Sequence, residues 1–223
     1  MREGHVMRIQ ARPEPVDLDP ARTAMLVIDM QNAFGSPGGM FDRAGVPIAS
    51  IQQAVAPTRA AIAAARQAGL KIIYLKMGFQ ADLSDVGTNL GILDGSLTRD
   101  EWGSDILDEL TPAPDDIVVY KTRFSGFYQT ELDDLLRAAG ITHLIVTGCT
   151  TSICVESTVR DAFFRDYQCI VLEDCTAEPL GANLSRSNHE ATLLLVEQVF
   201  GSVSTAADLI NLSVHDSEVI GSR

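Results

Sequence analysis

Residues 143–174, HLIVTGCTTSICVESTVRDAFFRDYQCIVLED, decide how this chain folds. An apolar run from His143 to Val146 ends in Thr147 and Gly148. Small hydroxylated residues then lead to Cys154 and an amphipathic segment, and a second apolar run covers Cys169 to Leu172. Apolar runs this short, bounded by turn residues and separated by one helix length, predict strand, helix, strand in a parallel βαβ unit. Cys154 then stands at a strand-to-helix junction, where unpaired backbone N–H groups and the helix dipole favour a thiolate. That makes it a candidate nucleophile; the other reading of such a cysteine is a small buried hydrophobe.

The same alternation extends outward in both directions. Upstream, the unbroken apolar run from Ala24 to Ile28 fits a strand covered on both faces, and it ends at Asp29. Taken alone, Asp29 is a turn former or a binding group in equal measure. The stretch SIQQAVAPTRAAIAAARQA (50–68) has apolar positions at helical spacing and stops at Gly69; Pro57 in a first turn predicts that the helix proper starts near Ala56. KIIYLKM (71–77) predicts the second strand and IVVYK (117–121) the third, with Lys121 again at a strand end. Thr130 is placed to cap the following helix, ELDDLLRAAG. Downstream, Glu173 to Cys175 close the fifth strand. A helix over 185–199, a short strand over 202–204 and a last helical turn complete the pattern.

Without repeats or linkers, this pattern reads as one domain over 1–223: an α/β doubly wound parallel sheet of about six strands, covered by helices. Residues 1–20, with prolines at 13, 15 and 20, form an extended arm or edge cover, and the polar tail 213–223 frays. The long excursion 78–103 has weak periodicity, as a lid or an oligomer contact would.

Composition narrows the function. A net charge of −13 argues against nucleic acid and anionic membranes as partners. No apolar stretch approaches the ~20 residues that span a bilayer, and the first twenty residues lack a signal-peptide core, so a cytoplasmic protein is expected. The four cysteines, Cys149, Cys154, Cys169 and Cys175, show neither metal-ligand spacing nor a disulfide framework and read as reduced thiols. Neither a G-x-G-x-x-G after a strand nor a phosphate-binding loop motif is present. In a parallel sheet, the carboxyl ends of all strands open on one edge, so Asp29, Lys121 and Cys154 can converge there as base, cation and nucleophile.

The segments LVIDMQNAF (26–34), KTRFSGFYQT (121–130) and TGCTTSICVESTVRDAFFRDY (147–167) resemble the isochorismatase-like cysteine hydrolases, most closely their ureidoacrylate-cleaving members. The similarity runs from about Ala11 to Leu212. It implies a three-layer αβα sandwich around a six-stranded parallel sheet and a catalytic triad of Asp29, Lys121 and Cys154. A non-proline cis peptide between Cys149 and Thr150 and an oxyanion hole from the Thr150 and Cys154 N–H groups also follow from it. The implied activity is hydrolysis of a C–N bond in a small amide or ureide, without cofactor, by a homodimer or homotetramer. The histidine-based metal site of nicotinamidase relatives has no counterpart in KMGFQADLSD (76–85), so no metal is expected.

The resemblance places Met77, Phe79 and Phe124 where ureidoacrylate-cleaving members carry asparagine, tryptophan and tyrosine. With Phe34, which fits a pocket wall or the core, and Arg123, which fits a partner for a substrate carboxylate or a structural salt bridge, these are the expected substrate-pocket residues. FQADLSD and VFGSVS also resemble biuret and triuret hydrolases, and the family includes N-carbamoylsarcosine hydrolases. A protein of another class, a redox sensor or scaffold with Cys149 or Cys175 resolving an oxidised Cys154, would share the same activated thiol.

Overall fold

The computed structural model describes residues 6–88 and 95–215. Its strands are Val6–Ile9 (β1), Val16–Leu18 (β2), Thr23–Ile28 (β3), Lys71–Met77 (β4), Ile117–Lys121 (β5), His143–Cys149 (β6), Gln168–Ala177 (β7), Gly201–Ser204 (β8) and Ser213–His215 (β9). The α-helices are Asn32–Gly35 (α1), Met40–Arg43 (α2), Ala49–Gln67 (α3), Leu132–Ala138 (α4), Glu156–Phe163 (α5), Asn188–Leu195 (α6) and Ala206–Ile210 (α7). Single π-helical turns, Thr151–Val155 and Val196–Phe200, precede α5 and follow α6.

Six strands form one sheet in the order β5-β4-β3-β6-β7-β8, and every pair in it is parallel. Every residue of β3 is buried, which is what a strand covered by helices on both faces requires. The helices α3 and α7 pack together, while α5 packs against β7 and the second π turn, giving the three-layer sandwich. The strand order reverses between β3 and β6. Sequence order alone does not reveal this reversal, which opens a crevice beyond the carboxyl ends of those two strands. Their close approach depends on Gly148: a Cβ there would lie 2.0 Å from the Ile28 carbonyl oxygen, and its φ of +122° suits glycine.

Several boundaries differ from the sequence reading. Helix α3 begins at Ala49 and carries Pro57 inside it, because Pro57 removes only an N–H whose partner, Gln53, lies on the solvent side. The N-cap of α4 is Glu131 rather than Thr130, whose hydroxyl, one residue earlier, still accepts from Leu132 N at 3.3 Å. The fifth strand of the sheet, β7, runs on to Ala177, and a step of two residues in β6, from Val146 to Gly148, is matched by a step of five in β7, from Val171 to Thr176. That bulge re-aims the end of β7 toward the crevice.

The arm is more ordered than an extended cover. Strands β1, β2 and β9 form a small antiparallel sheet whose alternation buries Met7 and Ile9, so Ser213–His215 is a strand rather than frayed tail. The edge is covered as well: Arg12 pairs through its backbone with Val203 of β8, at 2.8 and 2.9 Å. Residues 1–5, 216–223 and the centre of the 78–103 excursion, 89–94, lie outside the described residues. Among the described residues, no helix is long and apolar enough to cross a membrane.

Candidate active site

Asp29, Lys121 and Cys154 meet at the crevice. The Lys121 Nζ donates to Asp29 Oδ2 at 2.6 Å, and both side chains are wholly buried. Asp29 directly follows β3 with a left-handed φ of +51°, a conformation that aspartate tolerates at a cost on the order of 1 kcal/mol. Its other oxygen accepts from Met77 N at 3.1 Å, and its carbonyl accepts from the Cys149 thiol at 3.0 Å. Lys121 also donates to the Arg123 carbonyl at 3.2 Å. Cys154 lines the same cavity as Asp29, and its thiol feels the charges of both Asp29 and Lys121.

Electrostatics follow from this burial. Desolvation raises the Asp29 carboxyl above its ordinary value, while Lys121, the Cys154 thiol and the Met77 N–H pull it back. Burial works against the Lys121 ammonium, but Asp29 and Cys154 outweigh it and hold the lysine charged. Burial also pushes the Cys154 thiol up, with Lys121 opposing that rise and Asp29 reinforcing it. Cys154 belongs to the π turn ahead of α5, where burial works against the thiolate that a helix terminus would favour.

The Cys149–Thr150 peptide is cis. Thr150 N–H donates to no backbone carbonyl among the described residues, and Val155 N reaches back to the Thr150 carbonyl at 3.2 Å to close the π turn. Glu178, buried just beyond β7, fixes this turn from below. Its Oε2 accepts from Ser152 N at 3.0 Å and from the Ser152 hydroxyl at 2.5 Å, and its Oε1 accepts from Leu180 N at 2.9 Å. Thr151 adds a 2.9 Å contact to His189 Nδ1.

Above these groups lies a cavity of about 460 Å³, the volume of roughly fifteen liquid waters. Asp29, Cys149, Thr150 and Cys154 line its floor. Phe34, Met77 and Phe124 line it as expected, with Phe34 edge-on to Phe41 at 5.0 Å. Phe79 and Arg123 do not. Phe79 is fully buried and bridged to Thr98, because the chain after Gly78 turns under its own return segment. The Arg123 guanidinium donates to the carbonyls of Asp85 and Thr122 at 2.9 and 2.6 Å and lies over the Tyr128 ring, so it ties down the excursion.

Met40, Val46, Ile153 and Leu180 complete the walls and escaped the sequence reading, as did Glu178 and Gln31. Gln31 grips the end of β4, accepting from Met77 N at 2.9 Å and donating to Met77 O at 2.8 Å. A search of every strand's carboxyl end would have flagged Glu178 and Leu180, which follow β7. Met40 and Val46 carry no such signal. Among the described residues, no group of three or more His, Cys, Asp or Glu side chains is clustered to hold a metal.

The Isochorismatase domain profile matches residues 23–208, which hold all of these groups. The chain belongs to the isochorismatase family. It is 40% identical over 217 residues to the ureidoacrylate amidohydrolase RutB of Caulobacter segnis, covering 90% of this chain and 89% of the relative. The RutB of an Enterobacter species is 41% identical over 217 residues, covering 90% and 93%. Among solved structures, a cysteine hydrolase from Pseudomonas syringae pv. phaseolicola superposes with a TM-score of 0.79 at 32% identity, covering 86% of this chain and 92% of that one. The N-carbamoylsarcosine amidase of Thermoplasma acidophilum gives 0.67 at 28% identity, covering 90% and 99%.

Proposed function

We propose that this isochorismatase-family protein is a cysteine-dependent amidohydrolase. It cleaves a C–N bond of a small ureide, carbamoyl compound or linear amide through a covalent intermediate on Cys154. The observation that carries this reading is the buried Asp29–Lys121 pair in reach of a thiol at the wall of an open cavity. The relatives named as ureidoacrylate amidohydrolase and N-carbamoylsarcosine amidase act on compounds of this chemical type and support it.

In this mechanism Asp29 takes the Cys154 thiol proton as Sγ attacks the carbonyl carbon. Lys121 stabilises the sulfur and carboxylate charges through the exchange. The tetrahedral oxyanion sits against the N–H groups of Thr150 and Cys154, each such donor contributing ~3 kcal/mol to the barrier reduction. The π turn leaves the Cys154 N–H available, since its i−5 position, Cys149, lies ahead of the turn. Protonated Asp29 then gives its proton to the nitrogen as the C–N bond breaks. Water attacks the remaining thioester or thiocarbamate, one of its protons passes by way of Asp29, and Sγ leaves as the thiol.

The whole chain acts as one such unit in this reading, cytoplasmic and assembled as a homodimer or homotetramer. Ammonia release from a panel of ureides and amides, with wild type beside Cys154→Ser and with chelator present, tests the chemistry. Release that resists chelator and disappears with Cys154→Ser is expected; release that survives the substitution sinks the reading.

A further inference from the structure

The cavity floor is polar and its walls are not. Phe34, Met40, Phe41, Met77, Phe124 and Leu180 present only hydrocarbon, ring and thioether surface to it. No Lys, Arg or His lines it among the described residues, and the sequence Asn89–Asp94 contains none either. The two nearby cations are committed elsewhere. Lys121 is sealed against Asp29, and Arg123 is turned to the carbonyls of Asp85 and Thr122.

A carboxylate entering this space would lose its water without gaining a counter-charge, while facing the carboxylate of Asp29. A hydrocarbon group would be favoured by the same walls. We infer that the substrate is a neutral amide or ureide whose substituent is aliphatic or aromatic, packed between Phe34, Phe41, Phe124 and Leu180. This rests on the amidohydrolase reading and narrows it, away from carboxylate-bearing ureides such as ureidoacrylate.

The test compares 3-ureidopropionate with N-(3-methylbutyl)urea, which differ only in a carboxylate against an isopropyl group, beside N-alkylureas from methyl to butyl. The neutral member of the pair is expected to have a kcat/KM about 100-fold higher or more. Along the alkyl series, kcat/KM should rise about fourfold per methylene. Phe124 is 40% exposed, so Phe124→Arg adds a hydrated cation at the cavity mouth and should shift the preference about tenfold toward the carboxylate; Leu180→Lys, at a position 45% exposed, is the second variant for the same readout. Equal or better turnover of the carboxylate by wild type overturns the inference while leaving the amidohydrolase reading intact. If wild type cleaves neither compound, the inference is overturned, and the ammonia-release panel with Cys154→Ser decides separately whether the amidohydrolase reading stands.

Discussion

The floor of the cavity and its walls come from different parts of the chain and obey different rules. The floor sits at the carboxyl ends of β3, β5 and β6, where the sheet fixes Asp29, Lys121 and Thr150, with Cys154 one turn further on. Most of its polar groups are paired, at distances as short as 2.6 Å. The walls come from α1, from α2 and the segment after it, from Met77 at the end of β4, from Ile153 in the π turn and from the segments after β5 and β7, which touch the cavity with side chains that make no directional bond. On the function proposed above, the contrast assigns the reaction to the paired polar groups beyond the strand ends and the choice of substrate to the apolar walls.

The largest effect expected from breaking the floor is at the proposed nucleophile. Cys154→Ala should lower kcat by about 10⁴-fold or more while the melting temperature stays within a few degrees, since a small thiol is exchanged for a methyl group. Steady-state kinetics beside thermal denaturation checks both halves. Lys121→Met comes next: it strands a buried carboxylate, so activity should fall by about 10²–10⁴-fold and stability by about 3–5 kcal/mol. Adding Asp29→Asn to that variant should recover part of the stability and none of the activity, which denaturant titration and assay together would show. A single variant as stable as wild type would mean that the pair is not the buried contact seen here.

Glu178→Ala probes the joint between floor and walls, since Glu178 holds both Ser152 in the π turn and Leu180 in the wall. Leaving those N–H groups without their acceptor should cost about 1–3 kcal/mol, and kcat should drop about tenfold with KM less affected. An unchanged kcat would show that the turn positions Cys154 without this brace.

The smallest effects are in pH. Because burial raises the Asp29 carboxyl, the acid limb of kcat/KM should lie above the ordinary aspartate value of about 3.9. For stability the signs differ between groups. Burial holds His189, beneath the π turn, below its ordinary pKa, so the unfolded chain binds the extra proton first. Its contribution is complete above about 6.5 and is lost as the pH falls below that value. Lys121 runs the other way: its raised pKa gives stability that is full below about 10.4 and is lost as the pH rises through the folded value. Unfolding midpoints of wild type and His189→Gln between pH 5 and 8 would isolate the histidine part.

Much of the floor was legible from the sequence because strand ends are local features: an apolar run that stops at Asp29 or Lys121 announces its own boundary. The walls were legible only where an aromatic residue lay beside such an end, as with Phe34 and Phe124. Phe79 and Arg123 look equally well placed in sequence, yet one is folded under its return segment and the other is drawn off by backbone carbonyls. Ser213–His215 gave no signal either, since three residues form a strand only when β1 is there to pair with.

By itself the sequence determined the alternation of strands and helices, the parallel sheet, and the identity of the three groups at strand ends, because each is set by short-range periodicity and by the family motifs. Tertiary structure alone decided that β3 and β6 are neighbours at the point where the strand order reverses, that burial pushes the Cys154 thiol up, and that apolar side chains from distant segments line one cavity. Those properties depend on which distant surfaces exclude water from one another, and desolvation is a property of the packed neighbourhood rather than of any residue in the chain.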